Sequence, residues 1–144
     1  GLSTQEHRMQ FTWLSPWQPH VRAILRIVVA LLFLQHGLIK LIGFPSGGMP
    51  GPQTVGTLLW VAGIIELVTS LLVLIGLWTR VAAFLASGEM AVAYFMFHAS
   101  KGFYPALNMG EGAILYCFIF LYLAAAGPGA WSIDGARQRS APIR

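Results

Sequence analysis

Residues 58–80 read LLWVAGIIELVTSLLVLIGLWTR, an apolar stretch long enough to cross the hydrocarbon core of a membrane as a helix. It carries one carboxylate, Glu66. A charge at that depth costs about 3 kcal/mol or more unless it is neutralised or paired. The residues three and four positions away on the same helical face are small or weakly polar: Ala62, Gly63, Thr69 and Ser70. The pattern therefore predicts that Glu66 points into a helix bundle and has partners on other helices.

The composition of the whole chain is typical of a membrane protein. Of its 144 residues 56% are hydrophobic and 10% are charged, and the mean hydropathy is +0.68; a soluble domain has about 25% charged residues. The net charge of +4 does not indicate a nucleic-acid partner, because the basic residues lie at the ends of apolar segments, as the positive-inside rule describes. The single cysteine, Cys117, excludes an intramolecular disulfide and a cysteine-based metal site. No metal site is predicted.

Four apolar segments predict four transmembrane helices. They span residues 21–43, 54–77, 81–98 and 109–126. Each has about 18 to 24 residues, enough to cross roughly 30 Å of hydrocarbon, and loops rich in glycine and proline separate them. In the third segment Ala83, Ser87 and Ala91 recur every four residues, which favours close helix packing. The sequence thus predicts an all-α fold, an integral-membrane up-down four-helix bundle over residues 21–134.

The basic residues also predict the orientation of these helices. Two lysines, Lys40 and Lys101, fall on one side of the membrane. Seven arginines fall on the other: Arg8, Arg22, Arg26, Arg80, Arg137, Arg139 and Arg144. The positive-inside rule then places both termini in the cytoplasm of a multi-pass bacterial inner-membrane protein.

The two ends of the chain are predicted to lie outside the hydrocarbon. Residues 1–20 contain Phe11, Trp13 and Trp17 among polar residues and prolines, which indicates a segment lying at the membrane interface. Residues 135–144 form a polar cytoplasmic tail.

Five ionisable residues are predicted to share the outer half of the bundle. They are His36, Lys40, Glu66, His98 and Glu111. At a rise of about 1.5 Å per residue, Glu66 is the deepest and the others lie closer to the outer surface. Such groups could hold the polar head of a ligand, relay protons or hydrogen-bond a quinone carbonyl. The competing interpretation is a structural network of hydrogen bonds and salt bridges that fixes the register of the helices. A haem held by His36 and His98 is not favoured, because nothing in their spacing requires it.

Three further polar residues lie outside this cluster. Glu89 is nine residues from His98, on roughly the opposite face of the same helix. It is predicted to meet a partner helix, a second subunit or a lipid head group, or to stay protonated; in the alternative, Glu89 faces inward and His98 closes the outer end. Arg80 is predicted to anchor the topology, and Asp134 to pair with Arg80 or Arg26 or to cap a short helix.

Several short pieces, in their order and spacing, point to a known family. They are Leu25-Arg26, QHGLIKL at 35–41, GIIE at 63–66, GLWTR at 76–80, His98, KGF at 101–103, Gly110-Glu111 and GPGAWSID at 127–134. From Val21 to Asp134 the chain resembles the DoxX family of small four-helix bacterial membrane proteins. Members of that family are similar to the small membrane subunit of a thiosulfate:quinone oxidoreductase, and others are tied to membrane-associated redox complexes. The resemblance therefore implies a redox context in which quinone is the expected cofactor.

Three functions are compatible with these observations. The first is a subunit of a quinone-linked redox complex, in which the outer-half cluster binds quinone or relays its protons. The second is a non-catalytic assembly subunit, with other membrane-complex subunits or further copies of itself as partners. The third is a small transporter, which the scarcity of polar residues disfavours. The sequence contains no Walker loop, dinucleotide glycine pattern, nucleophile elbow or zinc spacing, which argues against a self-contained dehydrogenase or hydrolase.

Overall fold

The computed structural model describes residues 1, 3–10 and 12–140, and the secondary structure of this part of the chain consists of helices, without strands. Two residues used in the predictions lie outside the described residues. They are Phe11, from the predicted interfacial segment, and Arg144, one of the seven arginines that predict the orientation. The α-helices are α1 (Thr4–Met9), α2 (Gln18–Ile42), α3 (Leu58–Ile75), α4 (Thr79–Ala93), α5 (Pro105–Asn108), α6 (Glu111–Ala126) and α7 (Ile133–Ser140). A 3-10 helix at Thr12–Trp17 precedes α2, while a π-helical turn at Tyr94–His98 and a 3-10 turn at Ala99–Lys101 extend α4.

Three helical segments are long and apolar enough to cross a membrane. They are Thr12–Ile42, Leu58–Ile75 and Thr79–Lys101. The fourth apolar helix, Glu111–Ala126, is shorter than a typical span of about 20 residues. By length and composition, three of the four predicted transmembrane spans are therefore supported. The fourth predicted span is a shorter apolar helix.

Local signals set the ends of α2 and α3. Helix α2 ends at Gly43, whose φ of 74° is left-handed and whose N–H donates to the carbonyls of Leu38 and Ile39. Helix α3 begins at Leu58 because the Thr57 side chain accepts a hydrogen bond from the backbone N–H of Trp60. The residues between these helices form a loop rich in proline and glycine. The predicted second span began four residues earlier, inside this loop.

Helices α2, α3, α4 and α6 form a ring around a common core. Helix α3 packs between α2 and α4, and α4 also packs against α6. Helices α6 and α2 meet through Phe33, whose ring lies 4.8 Å from that of Phe120 and 5.2 Å from that of Tyr116. The buried core between them is made of side chains such as Ala83, Ala86 and Leu123. The site described below lies on the α3 side of this ring.

Small residues let the helices approach closely, as the sequence predicted for the third span. Ala83 and Ser87 are buried, and the Ser87 hydroxyl donates to the Cys117 carbonyl at 2.7 Å, which joins α4 to α6. Between α2 and α3, a Cβ added to Gly37 would lie 2.9 Å from the backbone nitrogen of Leu67. One added to Gly63 would lie 2.9 Å from the Lys40 Cβ. The two glycines therefore bring Lys40 against α3.

Candidate functional site

Lys40 and Glu66 form a buried ion pair between α2 and α3. The Lys40 Nζ donates to Glu66 Oε1 at 2.9 Å, and the side chains are 12% and 1% exposed. Lys40 lies in the last turn of α2, whereas Glu66 lies near the middle of α3. The lysine therefore supplies the partner that the isolated carboxylate of α3 requires.

Glu66 keeps one oxygen without a protein partner. Its Oε2 is buried and accepts no hydrogen bond from the described residues. On the same face of α3, the hydroxyls of Thr69 and Ser70 donate to the backbone carbonyls of Ile65 and Leu67 and so are not available to Glu66. A buried acceptor left unpaired costs about 1–3 kcal/mol, more when it is charged. The free oxygen marks a place where a further hydrogen-bond donor would be stabilised.

Glu89 is the second acidic residue beside this pair. It lies on α4, is half-buried, and interacts electrostatically with both Glu66 and Lys40. Its Oε2 is also buried without a hydrogen-bond partner among the described residues. Glu89 therefore lies on the side of α4 that is next to α3. The partner interface assigned to it remains a prediction.

Glu89 lines an apolar groove between α3 and α4. The groove has a volume of about 500 Å³, and its walls include Ala62 and Ile65 of α3 and Gly88 and Val92 of α4. Among the described residues, Glu89 is the only ionisable one in the lining. A long apolar wall with one polar group is the usual arrangement of sites that bind a mainly hydrophobic ligand with a polar head.

His36 and Tyr116 border the ion pair on the α2–α6 side. The His36 ring meets the Tyr116 ring edge-on, with the centroids 5.7 Å apart. His36 interacts electrostatically with Lys40, one turn further along α2, and Tyr116 interacts with Glu66. Tyr116 was missed in the sequence analysis, although a hydroxyl-bearing side chain in the apolar run of α6 is the signal that could have identified it.

The structure places His98 in a different network. Its Nδ1 lies 3.1 Å from the Asn108 carbonyl oxygen, and its ring stacks on Tyr94 with the centroids 6.3 Å apart. The Asn108 side chain is 1% exposed, donates to the Gly102 carbonyl and the Tyr94 hydroxyl, and accepts from the Gly110 N–H. These contacts hold the loop between α4 and α6 in place, which is a structural use of His98.

Glu111 is likewise separate from the ion pair. It is exposed in the first turn of α6, where a negative charge is favourable next to the helix dipole. The predicted group of five is therefore divided. Lys40 and Glu66 are paired, His36 lies beside them, and no hydrogen bond or ion pair among the described residues links His98 or Glu111 to them.

Arginine and aspartate side chains organise the opposite end of the ring. Arg26 is fully buried and donates to the backbone carbonyls of Pro128, Ala130 and Trp131. Arg80 donates to the carbonyls of the last turn of α6, at Ala124 and Ala125. These contacts satisfy carbonyls that would otherwise lack partners at the end of the chain's apolar region.

Asp134 caps the N-terminal end of helix α4, although it lies far from that helix in the sequence. Its carboxylate accepts hydrogen bonds from the backbone N–H groups of Trp78 and Thr79 at 2.9 Å each and from the Thr79 hydroxyl at 2.8 Å. Burial alone would raise the pKa of this carboxyl, but the hydrogen bonds from Thr79 and Trp78 and the charge of Arg137 lower it overall. The predicted ion pair with Arg80 or Arg26 is therefore not formed, because the oxygens already serve the helix cap.

The chain is similar to known membrane proteins along most of its length. The DoxX family model matches residues 21–99. An uncharacterised protein of Haemophilus influenzae is 48% identical over 125 residues, covering 84% of this chain and 93% of that protein.

Two more distant relatives are named as membrane proteins. The inner membrane protein YqjF of Escherichia coli is 30% identical over 121 residues, covering 77% of this chain and 87% of that protein. The uncharacterised membrane protein Rv3486 of Mycobacterium tuberculosis is 28% identical over 128 residues, covering 76% and 77%. No solved structure matches the chain. Together with the apolar helices, these relatives establish a multi-pass protein of the inner membrane.

Proposed function

The chain belongs to the DoxX family of membrane proteins, and from this premise we propose that it is the small integral subunit of a quinone-linked redox complex. The observation that carries the proposal is the apolar groove between α3 and α4, in which Glu89, the one ionisable side chain that the described residues contribute, interacts electrostatically with the Lys40–Glu66 pair. A quinone has an apolar tail and a ring with oxygen atoms, and the groove offers surfaces that complement both.

The groove complements the two parts of such a ligand at different positions. Its apolar walls, including Ile65 and Val92, suit a hydrocarbon tail. The unpaired Oε2 of Glu89 suits the ring oxygens, since a carboxyl group donates a hydrogen bond when protonated and accepts one when ionised. Quinone supplies the redox chemistry when it is bound, and the electrons come from or go to a partner subunit.

The neighbouring charges determine how this carboxyl can handle protons. Lys40 balances the charge of Glu66, so that a second ionised carboxylate at Glu89 would leave the cluster with a net negative charge inside hydrocarbon. This charge balance favours the neutral form of the Glu89 carboxyl, which can donate a hydrogen bond. His36 and Tyr116, which border the ion pair, extend the set of groups that can pass that proton on.

The proposal includes the architecture in the membrane. The four apolar helices form an up-down bundle, with α6 as the short fourth span and both termini in the cytoplasm. The arginines at the Arg26–Asp134 end support this orientation, because the basic residues concentrate there.

The test is quinone-dependent turnover of the natively extracted complex. Glu89→Gln and Glu66→Gln keep side-chain size but remove the titratable carboxyl, and each is expected to reduce turnover by about a hundredfold or more, within the range for loss of a proton-transfer group. Glu111→Gln, in the exposed first turn of α6, is the matched control and is expected to leave turnover unchanged. Unchanged turnover in an assembled complex with Glu89→Gln would refute the site.

The second candidate function is a non-catalytic assembly subunit. The observation that favours it is the 1% exposure of Glu66, which a purely structural ion pair between α2 and α3 would also show. In that case the glutamine variants reduce the yield of assembled complex and leave the turnover per complex unchanged. Measuring yield and turnover on the same preparations separates the two functions.

A further inference from the structure

A second pocket opens at the Arg26–Asp134 end of the molecule, away from the groove. Its volume is about 530 Å³, and it lies where α2 and α4 begin and α6 ends. Arg22 of α2, Arg80 of α4 and Gln138 of α7 line it, together with Trp78 and Asp134. Two guanidinium groups and an amide thus face one cavity.

Both arginines have hydrogen-bond donors to spare. Arg22 donates through Nη1 to the Ala126 carbonyl at 2.9 Å, and Arg80 donates through Nη1 to the last carbonyls of α6. A guanidinium has five N–H donors, and neither side chain makes another hydrogen bond within the described part of the chain. The Nε of Arg22 is moreover buried without a partner. A buried, charged donor in this state indicates that an acceptor belongs beside it.

The charges around the pocket favour the binding of an anion. Asp134 is in the lining, but its oxygens accept three hydrogen bonds from Trp78 and Thr79, and its charge interacts with Arg137. The partial negative charge at the end of α6 is already met by the arginine Nη1 groups. Two full positive charges, from Arg22 and Arg80, therefore face the cavity against one capped carboxylate.

The pocket also lies at the level of a membrane surface. It is at the end of three apolar helices, and the tryptophans Trp17, Trp78 and Trp131 are exposed around it. Exposed tryptophans at the ends of spans are typical of the interface, where the phosphates of lipids lie. Guanidinium forks match phosphate oxygens in geometry and charge.

We propose that this pocket binds a phosphate group between Arg22 and Arg80, with the Gln138 amide as a third donor. The phosphate of an anionic phospholipid and free inorganic phosphate share this chemistry, and both are tested. The site is independent of the quinone proposal, since it lies at the other end of the ring and uses none of the same residues.

The experiment measures the binding of phosphatidylglycerol and, separately, inorganic phosphate to the purified full chain in detergent by native mass spectrometry, with diacylglycerol as the probe that lacks phosphate. Gln138→Glu adds a negative charge to the pocket while both arginine contacts with α6 remain. It is expected to weaken binding about tenfold, as is Arg22→Gln. Ala136→Glu adds the same charge on the exposed surface of α7 outside the pocket and is the matched control.

The outcomes distinguish the two sources of phosphate and can refute the site. Variant-sensitive binding of phosphatidylglycerol that inorganic phosphate does not displace identifies a lipid site. Displacement by inorganic phosphate, with the same sensitivity to Gln138→Glu, identifies a site for free phosphate. Equal effects of Gln138→Glu and Ala136→Glu, binding of diacylglycerol as strong as that of phosphatidylglycerol, or no binding of either phosphate probe would overturn the proposal.

Discussion

Lys40 and Glu66 are joined at 2.9 Å across the α2–α3 interface, with the glutamate carboxyl 1% exposed and one of its oxygens unpaired. The pair comes from positions 26 residues apart in sequence. Gly37 and Gly63 make it possible, because any side chain there would hold the helices apart. The contact places a compensated charge among apolar helices, where it interacts electrostatically with Glu89.

Removing the lysine from this pair should destabilise the protein far more than removing both charges. Lys40→Met leaves Glu66 buried without its counter-charge, and breaking such a pair costs about 3–5 kcal/mol. The double variant Lys40→Met/Glu66→Gln should recover most of that loss. Thermal unfolding in detergent measures both. Equal destabilisation by the single and double variants would contradict a paired charge at this position.

The close approach of α2 and α3 should not tolerate a methyl group at Gly37. A Cβ there would lie 2.9 Å from the Leu67 nitrogen and 3.1 Å from the Gly63 oxygen, and these are backbone atoms that cannot turn aside. We expect Gly37→Ala to lower the free energy of unfolding by about 1–3 kcal/mol. Gly112→Ala is the control, since a Cβ at Gly112 meets nothing within 4 Å. A neutral Gly37→Ala variant would show that the helices are further apart.

The cap at the start of α4 should make stability depend on pH. The pKa of Asp134 is lowered in the folded protein from 3.8, so its stabilisation is fully present above pH 3.8 and is lost as the pH falls through the lower folded value. Asp134→Asn should cost about 1 kcal/mol at neutral pH, typical for a lost helix cap. It should also remove this part of the acid dependence. The test is the free energy of unfolding of the unmodified protein and of Asp134→Asn, measured from pH 7 to pH 2.5. An equal decrease with falling pH in the two proteins would contradict the prediction.

Asn108 should be essential for the loop between α4 and α6. Its buried side chain donates two hydrogen bonds and accepts one, so Asn108→Leu leaves the Gly110 N–H and the Gly102 carbonyl without partners. We expect a loss of about 2–6 kcal/mol, from about 1–3 kcal/mol for each of the two buried groups left unsatisfied. Proteolysis at this loop provides a second measurement. Met109→Leu, at an exposed neighbouring residue, is the control and should resist cleavage like the unmodified protein.

The apolar segments and their breaks were readable from the sequence because they follow from local chemistry. Runs such as LLVLIGL favour helix in a membrane whatever surrounds them, and Gly43 and Gly76 end α2 and α3 by adopting left-handed backbone. The start of α3 was placed too early, since the side chain of Thr57 caps the helix there. The family was also readable, because its short pieces keep their order along the chain.

Which residues belong to the polar cluster could not be derived from the sequence in the same way. Depth along a helix placed His98 and Glu111 at the level of Lys40, but depth does not specify the direction in which a side chain points. The π-helical turn at Tyr94–His98 changes the phase of the last part of the third span, and His98 meets the Asn108 carbonyl. For Asp134 the sequence left open an arginine partner or a helix cap, and the structure shows a cap, because its oxygens accept hydrogen bonds from the backbone of Trp78 and Thr79.

The sequence by itself determined that Glu66 lies in a membrane helix and needs a partner, because the cost of a charge in hydrocarbon depends only on its apolar surroundings. Only the tertiary structure decided which groups compensate the charge of Glu66. Lys40 reaches Glu66 because two glycines bring the helices together, and Glu89 lies on the side of α4 next to α3. Those relationships depend on helix rotation and distance, which are set by the packing of all four helices at once and leave no local signal in the chain.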